Sequence, residues 1–313
     1  MNKSEVVFDL YDRTDTPRAE LQDPNVAHLV INYNQVLGMH SVPGLHIDVN
    51  ELKDGIEAHI RLDPDTIVEN QVHLCFGMVP DTGVQQINLQ ADIGARSRID
   101  LLAHCVFPFA IDVQHIMDAV LRVGEGASYS YFEKHVHSPQ GGVRVYPTAK
   151  VEVGPRASFK TEFELIKGRV GLIDVTYEAT CEEEAVVDML ARISGIEDDR
   201  IRINEIAHLV GDYARGALTS KIAVRDRARA EINNTLIASG AYARGHVDCK
   251  EIIQDEGIAT AVPTVEVKHP RARVTHEAAI GSVDNKQLET LLARGVSEDE
   301  AVELIINGLL ARR

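Results

Sequence analysis

The strongest sulfur and metal ligands in the chain are four cysteines, Cys75, Cys105, Cys181 and Cys249. No two of them form a C-x-x-C pair, so the spacing of a structural zinc site is missing. Each reads first as a small buried hydrophobe. The histidines carry more pattern. "FEKHVHSP" sets His135 and His137 two residues apart, which on a strand gives them one shared face, able either to chelate a metal ion or simply to meet solvent. The adjacent His104 and Cys105 would point to opposite faces and make poor co-ligands. The pair His276–Glu277 lies in "RARVTHEAAIGS", where an alternating strand pattern gives way to small residues.

Other chemistries lack their signatures. There is no glycine-rich turn followed by Gly-Lys-Ser/Thr, so the chain carries no phosphate-binding loop of its own. Gly124 and Gly126 form a lone G-x-G in a strand context and read as a turn. There is no G-x-S-x-G elbow, and His276–Glu277 is followed by "AAIG" rather than by the second histidine of H-E-x-x-H. The hexapeptide periodicity of left-handed β-helix acyltransferases is also missing.

Composition narrows the partners. The 313 residues are 44% apolar and 26% charged, an ordinary globular balance. With no tryptophan, 5% aromatics and a formal charge of −16, the chain lacks both the stacking platforms and the basic track that nucleic acid requires. No apolar run approaches the roughly 20 residues that span a bilayer, and the first residues lack a signal-peptide core. A cytoplasmic protein without nucleic-acid or membrane partners is expected, with its cysteines reduced.

The elements that must position these residues fall into three regions. Residues 1–45 form a partly helical lead-in, because "PRAELQDPNVAHLVINYNQVLGM" has helix-compatible apolar spacing interrupted by Pro24. Residues 46–274 are short alternating runs such as "IEAHIRL", "AKVEV" and "LIDVTYEAT", broken by Gly, Asp, Asn and Pro. A polar or glycine turn followed by a small or apolar residue and a strand recurs around Ala127, Ala157, Ile201, Ala228, Ala243 and Ala272, at spacings near multiples of about 15 residues. This recurrence predicts a right-handed parallel β-helix over a β-sandwich. Residues 275–313 form a C-terminal helical cap. Asp284 caps one helix, closed by Gly295, and Ser297 with Glu300 makes a capping box for a second with an apolar stripe of Ala301, Leu304, Ile305 and Leu309.

Two strand passes, "IATAVPTVEV" and "RARVTHE", separate Cys249 from Glu277. A solenoid would therefore bring the thiol and the His276–Glu277 pair onto neighbouring coils. The ordered pieces "GHVDCKEII", "VPTVEV", "THEAAIGS", "QLETLLARG" and "SEDEAVELIINGLL", from Gly245 to Leu309, resemble the C-terminal core of the SufB/SufD family, β-helical scaffolds of iron–sulfur cluster assembly. The resemblance implies a site for a transient iron–sulfur cluster. It places Cys249 on the SufB cysteine and Glu277 on the SufB glutamate as iron ligands, and His276 where SufD-type chains carry a functional histidine. With both the cysteine and "HEA", the chain resembles SufB more than SufD. It departs from SufB in being shorter, in a Cys–Glu interval one residue shorter, in the single cysteine of this region and in lacking the N-terminal C-x-x-C-type cysteines.

These departures fit a compact scaffold working as a homodimer, or else in a SufB/SufD-like heterodimer. The resemblance further implies a SufC-like ABC-type ATPase docking on Gln287–Leu309 and no catalytic activity of the chain's own. A mixed Cys/Glu/His site holds a cluster less firmly than four thiolates and suits its release. Lys250, next to Cys249 in sequence, or else a backbone amide, is expected to favour the thiolate. The alternative from another class is a β-helical carbohydrate-active enzyme, which would need paired carboxylates in a groove.

Overall fold

The computed structural model describes residues 3–14 and 16–312. After helix α1 (Lys3–Asp12) and a short 3-10 turn (Arg18–Gln22), the chain runs through twenty strands and ends in two helices. The first strands are β1 (His28–Asn32), β2 (Gln35–His40), β3 (Leu45–Leu52), β4 (Gly55–Leu62), β5 (Val72–Gly77), β6 (Thr82–Ile93) and β7 (Arg98–Phe107). The middle of the chain supplies β8 (Asp112–Val123), β9 (Ser128–His137), β10 (Val143–Val153), β11 (Ser158–Lys167), β12 (Leu172–Cys181), β13 (Val186–Gly195) and β14 (Arg200–Leu209). There follow β15 (Arg215–Val224), β16 (Arg229–Ala238), β17 (Arg244–Ile253), β18 (Ile258–Ala261), β19 (Thr264–Val267) and β20 (Arg273–Gly281), then α2 (Asn285–Leu292) and α3 (Glu298–Leu310).

The strands form two ten-stranded sheets. The first has the order β2-β1-β5-β7-β9-β11-β13-β15-β17-β20, and the second runs from β18 through the even-numbered strands to β4 and β3. Apart from the antiparallel β1–β2 and β3–β4 pairs all pairings are parallel, and from β4 onward the chain alternates between the sheets, with β18 and β19 sharing one pass beside β16, giving a β-solenoid of about eight turns. Side chains that bond from one coil to the next lie 28 to 30 residues apart, so half a coil is the recurring unit seen in the sequence.

Alternation builds the core. In β12, Ile173, Val175, Tyr177, Ala179 and Cys181 point into the lumen, while Asp174, Thr176 and Glu178 face out. The recurring small residue has a steric origin. Ala127, Ala157, Ala214, Ala228 and Ala243 are all buried at the corner where a turn re-enters the lumen. The residue before several of these alanines takes a left-handed conformation, as at Gly126, Arg156, Tyr213 and Tyr242. That conformation turns its N–H along the solenoid axis. The amide of Arg156 donates to the Glu183 carbonyl at 2.8 Å, and that of Tyr213 to the Ala241 carbonyl at 2.8 Å, so turns stack as regularly as strands do.

The lead-in differs from the helix expected over 17–39. Only α1 and the 3-10 turn are helical, and β1 and β2 form an antiparallel hairpin with Tyr33 at φ 58°. The alternation of Leu29 and Ile31 onto the core won over helical spacing, because β1 pairs with β5 and extends the first sheet. Helix α1 lies on that sheet's outer face, where Leu10 and Tyr11 meet Val30, Cys75 and Val106.

At the other end, α3 covers the same outer face by packing Ile306 and Leu310 on Ala223 and Ile252. Its inward stripe is Ala301, Ile306 and Leu310, not the stripe through Leu304 expected from spacing, and Leu304 is 53% exposed. Both expected caps form: Asp284 accepts from the Gln287 amide at 2.8 Å, and the Ser297–Glu300 box is present. Buried Arg192 anchors the junction. It donates to Glu162 at 3.0 Å, pairs with Glu164 at 2.6 Å and donates to the Leu310 carbonyl. No described helix is long and apolar enough to cross a membrane.

Candidate functional site

Strand β17 carries two different rows. In "RGHVDCKEII" the odd positions Val247, Cys249 and Glu251 turn into the lumen, while His246, Asp248 and Lys250 turn outward. The next strand of the first sheet is β20, and its register sets Val247 against His276, Asp248 against Glu277 and Cys249 against Ala278. Paired residues on parallel strands share a face. Cys249 and His276 therefore lie on the lumen side of adjacent strands, two residues out of step, and Glu277 lies on the outer side.

The solenoid thus brings the three expected residues onto neighbouring coils and divides them between two faces. On the outer face Glu277 has company that sequence reasoning missed. A nitrogen of His246 and carboxylate oxygens of Asp248 and Glu277 lie within 4.8 Å of one another. His246 Nδ1 is 2.8 Å from the Thr275 hydroxyl, and Lys250 donates to Asp248 at 2.7 Å. Two carboxylates and an imidazole make an oxygen- and nitrogen-rich set suited to a hard or borderline divalent ion. The even-numbered polar residues of "GHVDCK", all of one strand parity, were the available signal.

On the lumen face Cys249 has no solvent exposure. Burial pushes its thiol up to about 11, and a hydrogen bond to Ser220 pulls the other way. Lys250, expected to favour the thiolate, faces the opposite side with Asp248. Strand alternation decides this, since neighbours in sequence are on opposite faces. Ser220 pairs with Cys249 across β15 and β17 and donates to Glu251 at 3.0 Å. The Glu205 and Asn234 side chains, paired on the second sheet, are also buried here. Both amide atoms of Asn234 and one oxygen each of Glu205 and Glu251 have no hydrogen-bond partner among the described residues. Burial raises Glu251 to about 7, and burial with the nearby Asp188 carboxylate raises Glu205 to about 8. The thiol therefore stands on a polar, protonatable patch of the lumen.

The last coil is open. Strand β20 pairs on one side only among the described residues, and Ile258, Val262, Val267 and Ile280 around it are 43–48% exposed. Beside β17 and β20, Lys250, Ala279, Lys286, Leu291, Leu304 and Leu309 line a groove between the sheet and the helical pair.

The other expected pairs resolve cleanly. His104 faces outward, 3.3 Å from the Thr16 hydroxyl, and Cys105 faces the lumen. His135 and His137 share a face as expected, but that face is the buried lumen rather than solvent. Cys75 lies under α1, and Cys181 is buried in the lumen.

Comparison with known proteins agrees with this architecture. The family model for the SUF system FeS cluster assembly SufBD core domain matches residues 93–309. An iron–sulfur cluster assembly SufBD family protein of Methanocaldococcus jannaschii is 33% identical over 282 residues, covering 90% of this chain and 89% of its own. One from Pyrococcus horikoshii is 34% identical over 285 residues, covering 91% and 87%. A third, from Archaeoglobus fulgidus, is 24% identical over 252 residues, covering 80% and 67%. On the family match, the two-sheeted solenoid and the close relatives together, the chain belongs to the SufBD family of the SUF system and has its role in iron–sulfur cluster assembly.

Proposed function

We propose that this chain is a scaffold on which a nascent iron–sulfur cluster is built, with Cys249, Glu277 and His276 as ligands, and that it works without catalytic chemistry of its own. The observation that carries the reading is the β17–β20 register, which sets a thiol and an imidazole on one face and a carboxylate on the other face of the last, open pair of strands. A thiolate holds iron and sulfide firmly, and the His246–Asp248–Glu277 set holds iron weakly enough to pass it on. Cys249 meets no solvent in this state, so loading it requires β20 to shift on β17. A strand held along one edge is the element of a sheet most able to do so.

The free edge of β20 also supplies a seam for a second copy. Unpaired strand edges invite pairing with another chain, and a twofold axis beside β20 would join two first sheets while covering the exposed apolar residues of the last coil. A homodimer would thereby place two sets of ligands together. The partner supplying nucleotide energy is an ABC-type ATPase docked on α2 and α3. Its groove shares Lys250, Ala279 and Ile280 with the strands that must move, so docking there acts on the site directly.

The test is anaerobic reconstitution with iron and sulfide, followed by visible absorption. Wild type is expected to develop cluster absorption, Cys249→Ser to lose it and Glu277→Ala to reduce it severalfold. A Cys249→Ser/Glu277→Ala protein that holds a cluster as well as wild type would remove the site.

A further inference from the structure

The lumen contains a second, wholly buried set of ligand side chains, four strands of the first sheet away from Cys249. It is built from β7, β8 and β9. Cys105 Sγ lies 3.7 Å from Glu133 Oε1 and 3.8 Å from His115 Nε2, and His135 Nε2 lies 2.7 Å from Glu133 Oε1. Cys105, Glu133 and His135 present one ligand atom each within 4.8 Å of one another, and all four residues are at most 1% exposed.

The surrounding hydrogen bonds fix which ring nitrogens carry protons. Gln85 donates its amide nitrogen to the carbonyls of Tyr33 and Gly77, at 2.8 and 2.9 Å. Its oxygen is thereby left facing His115 Nδ1 at 2.9 Å. Nδ1 of His115 must donate, and its Nε2 lone pair faces Cys105. On the other side His137 Nδ1 is 2.9 Å from the Arg169 carbonyl and must donate to it. His137 Nε2 is then an acceptor, so His135 Nδ1, 3.1 Å away, is the donor between them. The lone pair of His135 Nε2 is left pointing at Glu133. The His135 lone pair, a Glu133 carboxylate oxygen and the Cys105 sulfur thus converge on one point, the His115 lone pair faces Cys105 beside it, and each ring is held from behind by a hydrogen-bond acceptor. Outer acceptors that fix the tautomer and aim of a ligating histidine are the ordinary support of a metal site.

We propose that Cys105, Glu133 and His135 form a three-ligand site for a divalent transition ion of the zinc or iron(II) type inside the solenoid, with His115, in contact with Cys105, placed to swing onto the fourth position. The ligand set is soft and borderline in character and lacks the oxygen cage that calcium or magnesium needs. Edges of a zinc tetrahedron with one sulfur and three light ligands are about 3.3–3.6 Å, close to the 3.7 Å between Cys105 and Glu133, while the 2.7 Å Glu133–His135 contact must open and His115 must close on the site as the ion enters. Without metal, the 2.7 Å contact between Glu133 and His135 needs a proton on one of them. Binding replaces it: M²⁺ displaces one proton from the Cys105 thiol and one from the Glu133–His135 pair, and the dianionic ligand set balances the ion's charge. The site joins the neighbouring strands β7 and β9, reaches the second sheet only once His115 of β8 closes on the ion, and serves as an internal staple, separate from the cluster-building residues and independent of their assignment.

The test uses the full chain. The protein is unfolded in guanidine with a chelator, refolded anaerobically with cobalt(II), and desalted. One cobalt per chain is expected, with a thiolate-to-cobalt charge-transfer band and the visible ligand-field bands of a tetrahedral ion. The bands should persist in Cys249→Ala and disappear in Cys105→Ala. Refolded wild type with native circular dichroism but no retained cobalt would overturn the proposal, as would a Cys105→Ala protein that keeps the wild-type bands. Should Cys105→Ala not fold, X-ray absorption on zinc-refolded wild type decides alone. One sulfur among nitrogen and oxygen neighbours supports the site, and a shell without sulfur, or with several sulfurs, refutes it.

Discussion

Cys249 and Glu277 stand on adjacent strands one register step apart and face opposite sides of the same sheet. A side chain on the lumen face and one on the outer face cannot ligate the same atom while the β17–β20 ladder is intact. The two residues therefore answer to different assays. Chelator-accessible iron(II), measured without sulfide, should fall in Glu277→Gln and in Asp248→Asn and be unchanged in Cys249→Ser, whereas cluster absorption after sulfide should be lost in Cys249→Ser. Equal loss of accessible iron in all three variants would mean that the faces are not separate in solution.

The protonatable patch beside Cys249 predicts a pH dependence of stability. Glu205, raised to about 8, and Glu251, raised to about 7, keep their protons in the folded chain well above the ordinary value of 4.5. Between those limits the unfolded chain binds fewer protons than the folded one, so stability falls as pH rises. The loss begins near the ordinary carboxylate value and is complete once both groups ionise. Thermal melts from pH 5 to pH 9 should show a declining midpoint, where one kcal/mol corresponds to about 2 °C in a domain of this size. Glu205→Gln should flatten the decline, and an unchanged slope in that variant would locate the dependence elsewhere.

Much of the solenoid was legible in the sequence because its two causes are local. Alternation sets the faces, and a small residue must follow each turn where the chain re-enters the lumen, as at Ala127 and Ala243. The same alternation, applied to "GHVDCKEII", separates His246 and Asp248 from Cys249 and already shows that Lys250 faces away from the thiol. What the sequence could not supply was the register of β20 against β17, which depends on turn lengths over a whole coil and decides that Asp248, not Cys249, lies opposite Glu277. Nor could it show that His135 and His137 face a closed interior, since a buried and a solvated row have the same period. In the lead-in, Leu29 and Ile31 fit both a helix and a strand, and pairing with β5 settled it.

Arg192 ties the helical pair to the solenoid, and it is 1% exposed. Replacing it with leucine leaves Glu162 and Glu164, both buried, without their main partner. Breaking a buried pair on one side typically costs about 3–5 kcal/mol. The β11–β13 backbone ladder holds the two coils together without Arg192, whereas its bond to the Leu310 carbonyl has no such backup, so the loss should fall on the α3 junction. Limited proteolysis of Arg192→Leu should release the C-terminal segment early, while strand circular dichroism stays native. Simultaneous loss of both would show that the helices and the solenoid unfold as one unit.

Leu304 and Ile306 are two residues apart on α3 and have opposite surroundings. Leu304 is 53% exposed beside the groove, and Ile306, 1% exposed, packs on the outer face of the first sheet. A charge at Leu304 stays in water and should leave the melting temperature within a degree or two of wild type, whereas one at Ile306 must be buried or must lift the helix off the sheet. If the ATPase docks on the helical pair, Leu304→Glu should abolish its pull-down with the fold intact. Leu309→Glu, on the lining of the same groove, should do likewise. Ile306→Glu should lose binding only together with the helical circular dichroism. Undiminished pull-down by natively folded Leu304→Glu and Leu309→Glu proteins would move the docking surface away from these helices, because a partner seated over the groove cannot avoid burying both new carboxylates.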